Sequence, residues 1–253
     1  MSNLHIEDVW NTVVTIECEL ESISYKEAID FLHQVDQLFS TFKENSQISK
    51  LRKDEIAIEA AHPFVQQVWQ ACLEIKQVTD GAFDPWAVPG GFDPSGYVKG
   101  WAADQISDQL IKLGAKHIQV NAGGDISVRG GKDANTPWKL AVAHPNLKGE
   151  ISKLYSITTG AIATSGTSER GDHIIDPQSK TIAVGARSAT VIGPDAGMSD
   201  ALATALVVSG RDGTSWFAKD DLLQYSCWVV DRHTDTTWEI LRKEVMPLLS
   251  CNG

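Results

Sequence analysis

Apolar positions recur along this chain in two periods, and the switches between them mark out its elements. Val9 to Leu20 follows a period of two: Val13, Val14 and Ile16 are strand formers, and Glu17 and Glu19 alternate outward, which predicts a strand. Tyr25 to Phe42 changes to spacings of three and four through Ala28, Phe31, Leu32, Val35, Leu38, Phe39 and Phe42, which predicts an amphipathic helix. The polar run Glu44 to Leu51 reads as a loop or turn. His62 to Thr79 predicts a second helix, with Pro63 in its first turn and Asp80-Gly81 as its stop. Ala82 to Tyr97 is rich in proline and glycine yet carries Phe83, Trp86 and Phe92, the composition of a packed, functional loop.

Val98 to Leu113 predicts a third helix, ending at Gly114. Lys116 to Val128 is strand-like on both sides of Asn121-Ala122-Gly123-Gly124-Asp125, where the paired glycines predict a bulge or a close backbone approach to a ligand. Trp138 to Ala143, Ile151 to Thr158, Ala161 to Ser165 and Ser188 to Ile192 read as strands. Ala196 to Val208 is small and apolar at nearly every position, as in a helix buried on most sides. A strand at Tyr225–Val230 and a closing helix from Trp238 to Leu249 complete the pattern. Hairpins interleave with helices irregularly, so the fold class is mixed α/β of the α+β kind rather than a doubly wound sheet, in one domain over residues 1–253.

Composition narrows the partners. A formal net charge of −11 argues against nucleic acid and anionic membrane. There is no apolar run of membrane-spanning length. The opening MSNLHIEDVW lacks the basic and apolar regions of a signal peptide, which predicts a cytoplasmic chain. Cys18, Cys72, Cys227 and Cys251 are scattered without zinc spacing and read as reduced thiols.

The candidate chemistry starts in the buried helix. Asp200 and Thr204 lie four apart, one above the other on one face. A carboxylate in so apolar a helix is costly unless paired, and no Lys or Arg lies within Asp195–Gly210, so its partner comes from elsewhere. A carboxylate with a hydroxyl is a hard-oxygen pair of the kind Mg²⁺ or Ca²⁺ takes. The same spacing also suits a helix cap with a threonine bonding back to a carbonyl. His173 alone reads more readily as a satisfied core histidine than as a catalyst. Gly123-Gly124 is no dinucleotide fingerprint, and there is no phosphate-loop or nucleophile-elbow motif.

Taken in order, the motifs carry more than any one of them. TDGAFDP, FDPSGYVKGWAAD, NAGGDISVRG, TSGTSERGDHIIDP and MSDALATAL follow one another at compatible spacings. The series from about Val9 to Gly210 resembles the ApbE-type FAD:protein FMN transferase family. The resemblance implies an ApbE-like fold with antiparallel and mixed sheets flanked by helices. It implies Mg²⁺-dependent (or Mn²⁺-dependent) cleavage of FAD, with FMN moved through a phosphoester onto a threonine or serine of a target flavoprotein and AMP released. The target site resembles [DS]-[GA]-A-[ST]. Carried over by position, Asp200 and Thr204 match metal ligands, and Gly96 matches the carbonyl that completes the metal site. Asp93 and Lys99 match flavin contacts, and Ala82, Phe83 and Asp84 match the loop lining the FAD site. Trp10 and Phe42 match ring contacts, and His173 with Ile174 matches the segment near the pyrophosphate, where His173 is the expected base and Asp200 the second catalytic group.

The chain departs from the family pattern at three places. Trp10-Asn11-Thr12 replaces a Met-Gly-Thr-like turn, Phe42 stands where tyrosine is common, and Gln178-Ser179-Lys180 follows HIIDP in place of a Thr-Gly pair. A metal-dependent FAD pyrophosphatase yielding FMN and AMP, and a non-catalytic FAD-binding protein, are the alternative functions.

Overall fold

The computed structural model describes residues 2–20, 25–166 and 174–242, and the backbone alone of 247–250. Its frame is an antiparallel eight-stranded sheet. The strands are β1 (Asn3–Val9), β2 (Thr12–Cys18), β3 (Ile118–Ala122), β4 (Asp125–Arg129), β7 (Gly160–Gly166), β8 (Ala186–Gly193), β9 (Ser226–Asp231) and β10 (Thr237–Ile240), neighbours in that order. A smaller three-stranded sheet, in the order β11 (Pro247–Ser250), β6 (Ile151–Ile157), β5 (Trp138–Ala143), is also antiparallel.

Two apolar clusters follow from the period-two strands. On one side α1 (Lys26–Phe39), α3 (Pro63–Val78), α4 (Ser95–Lys112) and α5 (Ala196–Ser209) cover the sheet, burying Leu32, Ile75, Ile106 and Leu206 against Val14, Ile16 and Val120. On the other, the small sheet packs Trp138, Leu140 and Tyr155 on Val128, Ile162, Ile192 and Trp228. Trp101 of α4 anchors the helical layer, its ring against Phe31, Phe39 and Phe64.

Helices α4 and α5 cross closely because small residues meet there. A Cβ added at Gly100 would lie 2.3 Å from the Ala196 carbonyl oxygen. Asp195 caps α5, accepting from the Met198 N–H at 2.8 Å. Asp104 of α4 reaches the same end and accepts from the Ala196 N–H at 2.7 Å and the Gly197 N–H at 3.3 Å. Burial pushes the Asp104 carboxyl up to about 6, although Ser127, Arg129 and these N–H groups pull it back.

Several expectations are corrected. The strand expected from Val9 to Leu20 is the second arm of a hairpin whose first arm, β1, is a polar edge strand; Trp10 and Asn11 form its two-residue turn, with φ of 58° and 55°. Asn11, in the place of a glycine, adopts this left-handed conformation more readily than most residues. Gly123-Gly124 is a second two-residue hairpin turn, both φ positive, rather than a bulge. Within the polar Glu44–Leu51 segment a short helix, α2 (Gln47–Arg52), begins at Ser46, whose hydroxyl accepts from the Ser49 N–H at 2.9 Å. The closing helix at Trp238–Leu249 is absent among the described residues. Thr237–Ile240 pairs with β9, and Pro247–Ser250 pairs with β6. Trp238 and Ile240 are half-buried between exposed neighbours, a period of two that the helical reading missed.

Candidate active site

The C-terminal end of β3, the N-terminal ends of β4 and α4, the loop from Ala82 to Asp93, and α5 converge on a cavity of about 430 Å³. Of the residues singled out from the sequence, Ala82, Phe83, Asp84, Asp93, Gly96, Lys99, Ile174, Asp200 and Thr204 all line it. Trp10 and Phe42 do not. Trp10 sits in the first hairpin turn against the main core, and Phe42, three residues beyond the end of α1, is 86% exposed. His173 lies outside the described residues.

The floor of the cavity is a buried charge cluster. The tight Gly123-Gly124 turn places Asp125 at the first position of β4, almost fully buried. Gly123 has φ 66°, and a Cβ added there would lie 2.7 Å from Thr12 Oγ1, so that a larger residue would be strained and would displace Thr12. The Lys99 ammonium bridges the two strongly buried carboxylates, donating to Asp125 Oδ2 and, at 3.2 Å, to Asp200 Oδ2. Lys99 is therefore the distant partner that the apolar helix around Asp200 required. Burial works against the charged ammonium, but the Asp125 and Asp200 carboxylates outweigh it and hold Lys99 above the ordinary lysine range. Burial raises Asp125, repulsion from Asp200 adds to the rise, and Lys99 opposes it.

Thr204, one turn along α5 from Asp200, shares a hydrogen bond of 2.9 Å with the Ser165 hydroxyl. Gly96 adjoins Thr204: a Cβ there would stand 3.3 Å from Thr204 Oγ1 and 3.3 Å from the Phe83 ring. Gly96 also leaves helical geometry within α4, with φ −81° and ψ 15°. The alternative in which Asp200 caps the helix is not what the fold uses, since Asp195 performs that task.

The loop wall is held from outside. Arg52 of α2 donates to the Phe92 carbonyl at 2.8 Å and pairs with Asp93 at 3.2 Å. Lys76 of α3 pairs with Asp84 at 2.8 Å and lies over the Trp86 ring. Trp69, Trp86 and Phe92 pack edge and face beneath the loop. Asp93 and Asp84 each also receive a local backbone N–H, from Ser95 and Trp86, both at 3.0 Å.

Sequence reading did not single out Asp125, Ser165 or Arg52. Asp125 had a signal: a carboxylate directly after two glycines at the start of a strand. Arg52 had none, because its partner stands some forty residues away. Among the described residues no group of three or more His, Cys, Asp or Glu is placed to hold a metal ion. What the cavity offers instead is an all-oxygen set, the Asp200 carboxylate and Thr204 hydroxyl beside the Gly96 backbone, which suits a hard divalent cation by donor chemistry.

By fold the chain falls with the flavin transferases. The solved flavin transferase ApbE of Vibrio cholerae superposes with a TM-score of 0.83 at 20% identity, covering 96% of this chain and 98% of that one. The ApbE protein of Thermotoga maritima gives the same TM-score at 22% identity over 94% and 96%. In sequence the chain matches the ApbE family over residues 10–90 and 89–227, and it belongs to that family. A relative in Haemophilus influenzae named FAD:protein FMN transferase is 24% identical over 254 residues, covering 75% of this chain and 73% of the relative. The Vibrio cholerae protein of the same name is 32% identical over 130 residues, which is 47% of this chain and 39% of that protein. No helix among the described residues is long and apolar enough to cross a membrane.

Proposed function

We propose that this chain is an FAD:protein FMN transferase that cleaves FAD and leaves FMN on a threonine or serine of a target flavoprotein. Membership of the ApbE family and the relatives of that name support the reading. The observation that carries it furthest is the convergence on one cavity of Lys99, Asp125, Asp200 and Thr204 beneath the Phe83–Asp93 loop. In this reaction the acceptor oxygen forms a bond to the phosphorus of the FMN half. The bond from that phosphorus to the bridging oxygen breaks, and AMP departs with that oxygen. The hydroxyl proton passes to a base, for which His173 has the right chemistry.

The chain's own residues have separable tasks in this account. Lys99 offsets the Asp125 and Asp200 carboxylates at the cavity floor, so that phosphate oxygens developing negative charge meet less repulsion there. Phe83 and the Asp84–Asp93 loop hold the flavin nucleotide and exclude water from one side. Asp200, Thr204 and the Gly96 carbonyl would hold Mg²⁺ or Mn²⁺, which when bound supplies further neutralisation of the pyrophosphate. Phosphoryl transfer is otherwise mostly positioning.

The test mixes the protein with FAD, Mg²⁺ and a flavoprotein fragment bearing an Asp-Gly-Ala-Thr site. Transfer gives flavin fluorescence on the fragment in a denaturing gel, lost with a chelator and lost when the threonine is changed to alanine. FMN and AMP free in solution without a labelled fragment is the result for a pyrophosphatase. FAD retained without turnover is the result for a binding protein.

A further inference from the structure

The small sheet ends at β5, and among the described residues the outer edge of β5 has no strand partner. An open edge presents a row of backbone N–H and C=O groups to any extended chain that comes beside it, and proteins usually blunt such edges with charge, proline or a bulge. Here little blunts it. Trp138, Leu140 and Val142 turn into the apolar core between the sheets, while Lys139, Ala141 and Ala143 turn outward and are exposed. The irregularity in register falls on β6, because Val142 opposes Lys153 and the next residue, Ala143, opposes Ile151. β5 therefore continues without an extra residue. The strand's one charge, Lys139, stands outside the cavity lining.

The position of this edge gives it a use. Ala141, Val142 and Ala143 are themselves part of the cavity wall, together with Asn121, Gly123 and Gly124. The loop wall with Phe83, Asp84 and Asp93 belongs to other elements. An acceptor hydroxyl must arrive on a polypeptide, and the backbone of that polypeptide needs partners at the cavity rim. Strand addition supplies them through main-chain hydrogen bonds, with alternate side chains of the guest facing the same way.

We propose that the open edge of β5 is the docking site of the acceptor. The hydroxyl-bearing segment of the target protein adds to the small sheet as an extended fourth strand, and its threonine or serine points into the cavity. The proposal rests on the transferase reading above and specifies how that reaction receives its second substrate. A second copy of this chain is not the occupant, because the transfer requires a different main chain at this same wall.

The test uses the intact enzyme, FAD, Mg²⁺, the flavoprotein fragment with its Asp-Gly-Ala-Thr site, and synthetic peptides spanning that site. One peptide is unmodified, and each of the others carries a single N-methylated amide. Strand addition predicts that every second N-methylation lowers kcat/KM about tenfold, with the intervening ones nearly silent, since each blocked pair removes one hydrogen bond and adds a clash. In parallel, Lys139→Cys is offered peptides with one cysteine moved along the sequence. Cys18, Cys72 and Cys227 are buried, and Cys251 is replaced by serine in the same chain, so that the introduced thiol is the one followed. Disulfides are expected to form fastest at the one peptide position facing residue 139, much more slowly two residues to either side, and not at the positions between.

A flat N-methylation profile, or cross-links without alternation, overturns the docking mode. So does a fragment that is labelled when the unmodified peptide is not. If neither fragment nor peptide is labelled while FMN and AMP accumulate, the transferase reading fails first and the docking proposal falls with it.

Discussion

The two walls of the cavity are built by opposite means. The floor, formed by Lys99, Asp125 and Asp200, lies in the protein interior, where each charge depends on the others for its solvation. The loop wall is tied down by Lys76 and Arg52, which pair with Asp84 and Asp93, carboxylates that keep more exposure to water than Asp125 and Asp200 do. Charges in the first setting cannot lose a partner cheaply. Charges in the second are screened, and their loss costs little of the fold. The floor is thus a rigid feature of the core, and the loop wall is an adjustable one held by replaceable ties.

Substitutions separate the two walls in order of effect. Lys99→Met leaves two buried carboxylates facing each other, and stability measured by urea unfolding at neutral pH is expected to fall by about 3–5 kcal/mol, with transfer abolished. Asp200→Ala leaves Lys99 paired to Asp125, so thermal unfolding should move little while the transfer rate falls about a hundredfold or more. Equal stability losses in these two variants would contradict the shared-cation description of the floor.

Asp104 adds a pH signature to the buried side. Its carboxyl stands at about 6 in the folded protein against 3.8 ordinarily. A raised carboxyl contributes stability below its ordinary value and loses that contribution as pH rises through the folded one. Comparing Tm of the parent with that of Asp104→Asn, the parent's relative stability is expected to decline between about pH 4 and pH 6. A difference constant across that window would show that Asp104 titrates normally.

The loop wall responds more mildly. Arg52→Ala should raise KM for FAD roughly tenfold with kcat little changed, because it frees the Phe92 carbonyl and Asp93 without touching the floor. Lys76→Ala removes a substantially exposed lysine from its pair with Asp84 and should cost under about 1 kcal/mol and shift KM less than Arg52→Ala. A larger effect from Lys76 than from Arg52 would reverse the assignment of which tie holds the loop.

The sequence revealed the buried part of this comparison more readily than the exposed part. The helix Ala196–Val208 was legible because an unbroken run of small apolar residues has few other uses, and Asp200 stood out within it. The Asp80-Gly81 stop is likewise present, with Gly81 at φ 84° and its N–H donating to the Lys76 carbonyl at 2.8 Å. Elements that gain stability from pairing rather than composition were missed. β1 shows Leu4 and Ile6 outward and owes its conformation to β2. The chain end reads as a helix from Trp238 onward, yet its described parts pair with β9 and β6 across the fold. The same holds for the site. Spacing within the apolar helix singled out Asp200 and Thr204, and the family resemblance named Lys99, but neither pointed to the bridge through Asp125 or the tie from Arg52, which exist only once distant segments meet. Trp10 and Phe42, named through family resemblance, are placed by the fold away from the cavity lining.

Movement of FMN from FAD to a protein hydroxyl in this cavity is tested directly by one assay. The parent protein and Asp200→Ala are each incubated with FAD, Mg²⁺ and the Asp-Gly-Ala-Thr fragment, and flavin fluorescence on the denatured fragment is measured over time. Threonine-dependent, chelator-sensitive labelling by the parent is expected, reduced about a hundredfold or more in the variant. Equal labelling by both proteins, or FMN and AMP in solution with an unlabelled fragment, would contradict transfer in this cavity.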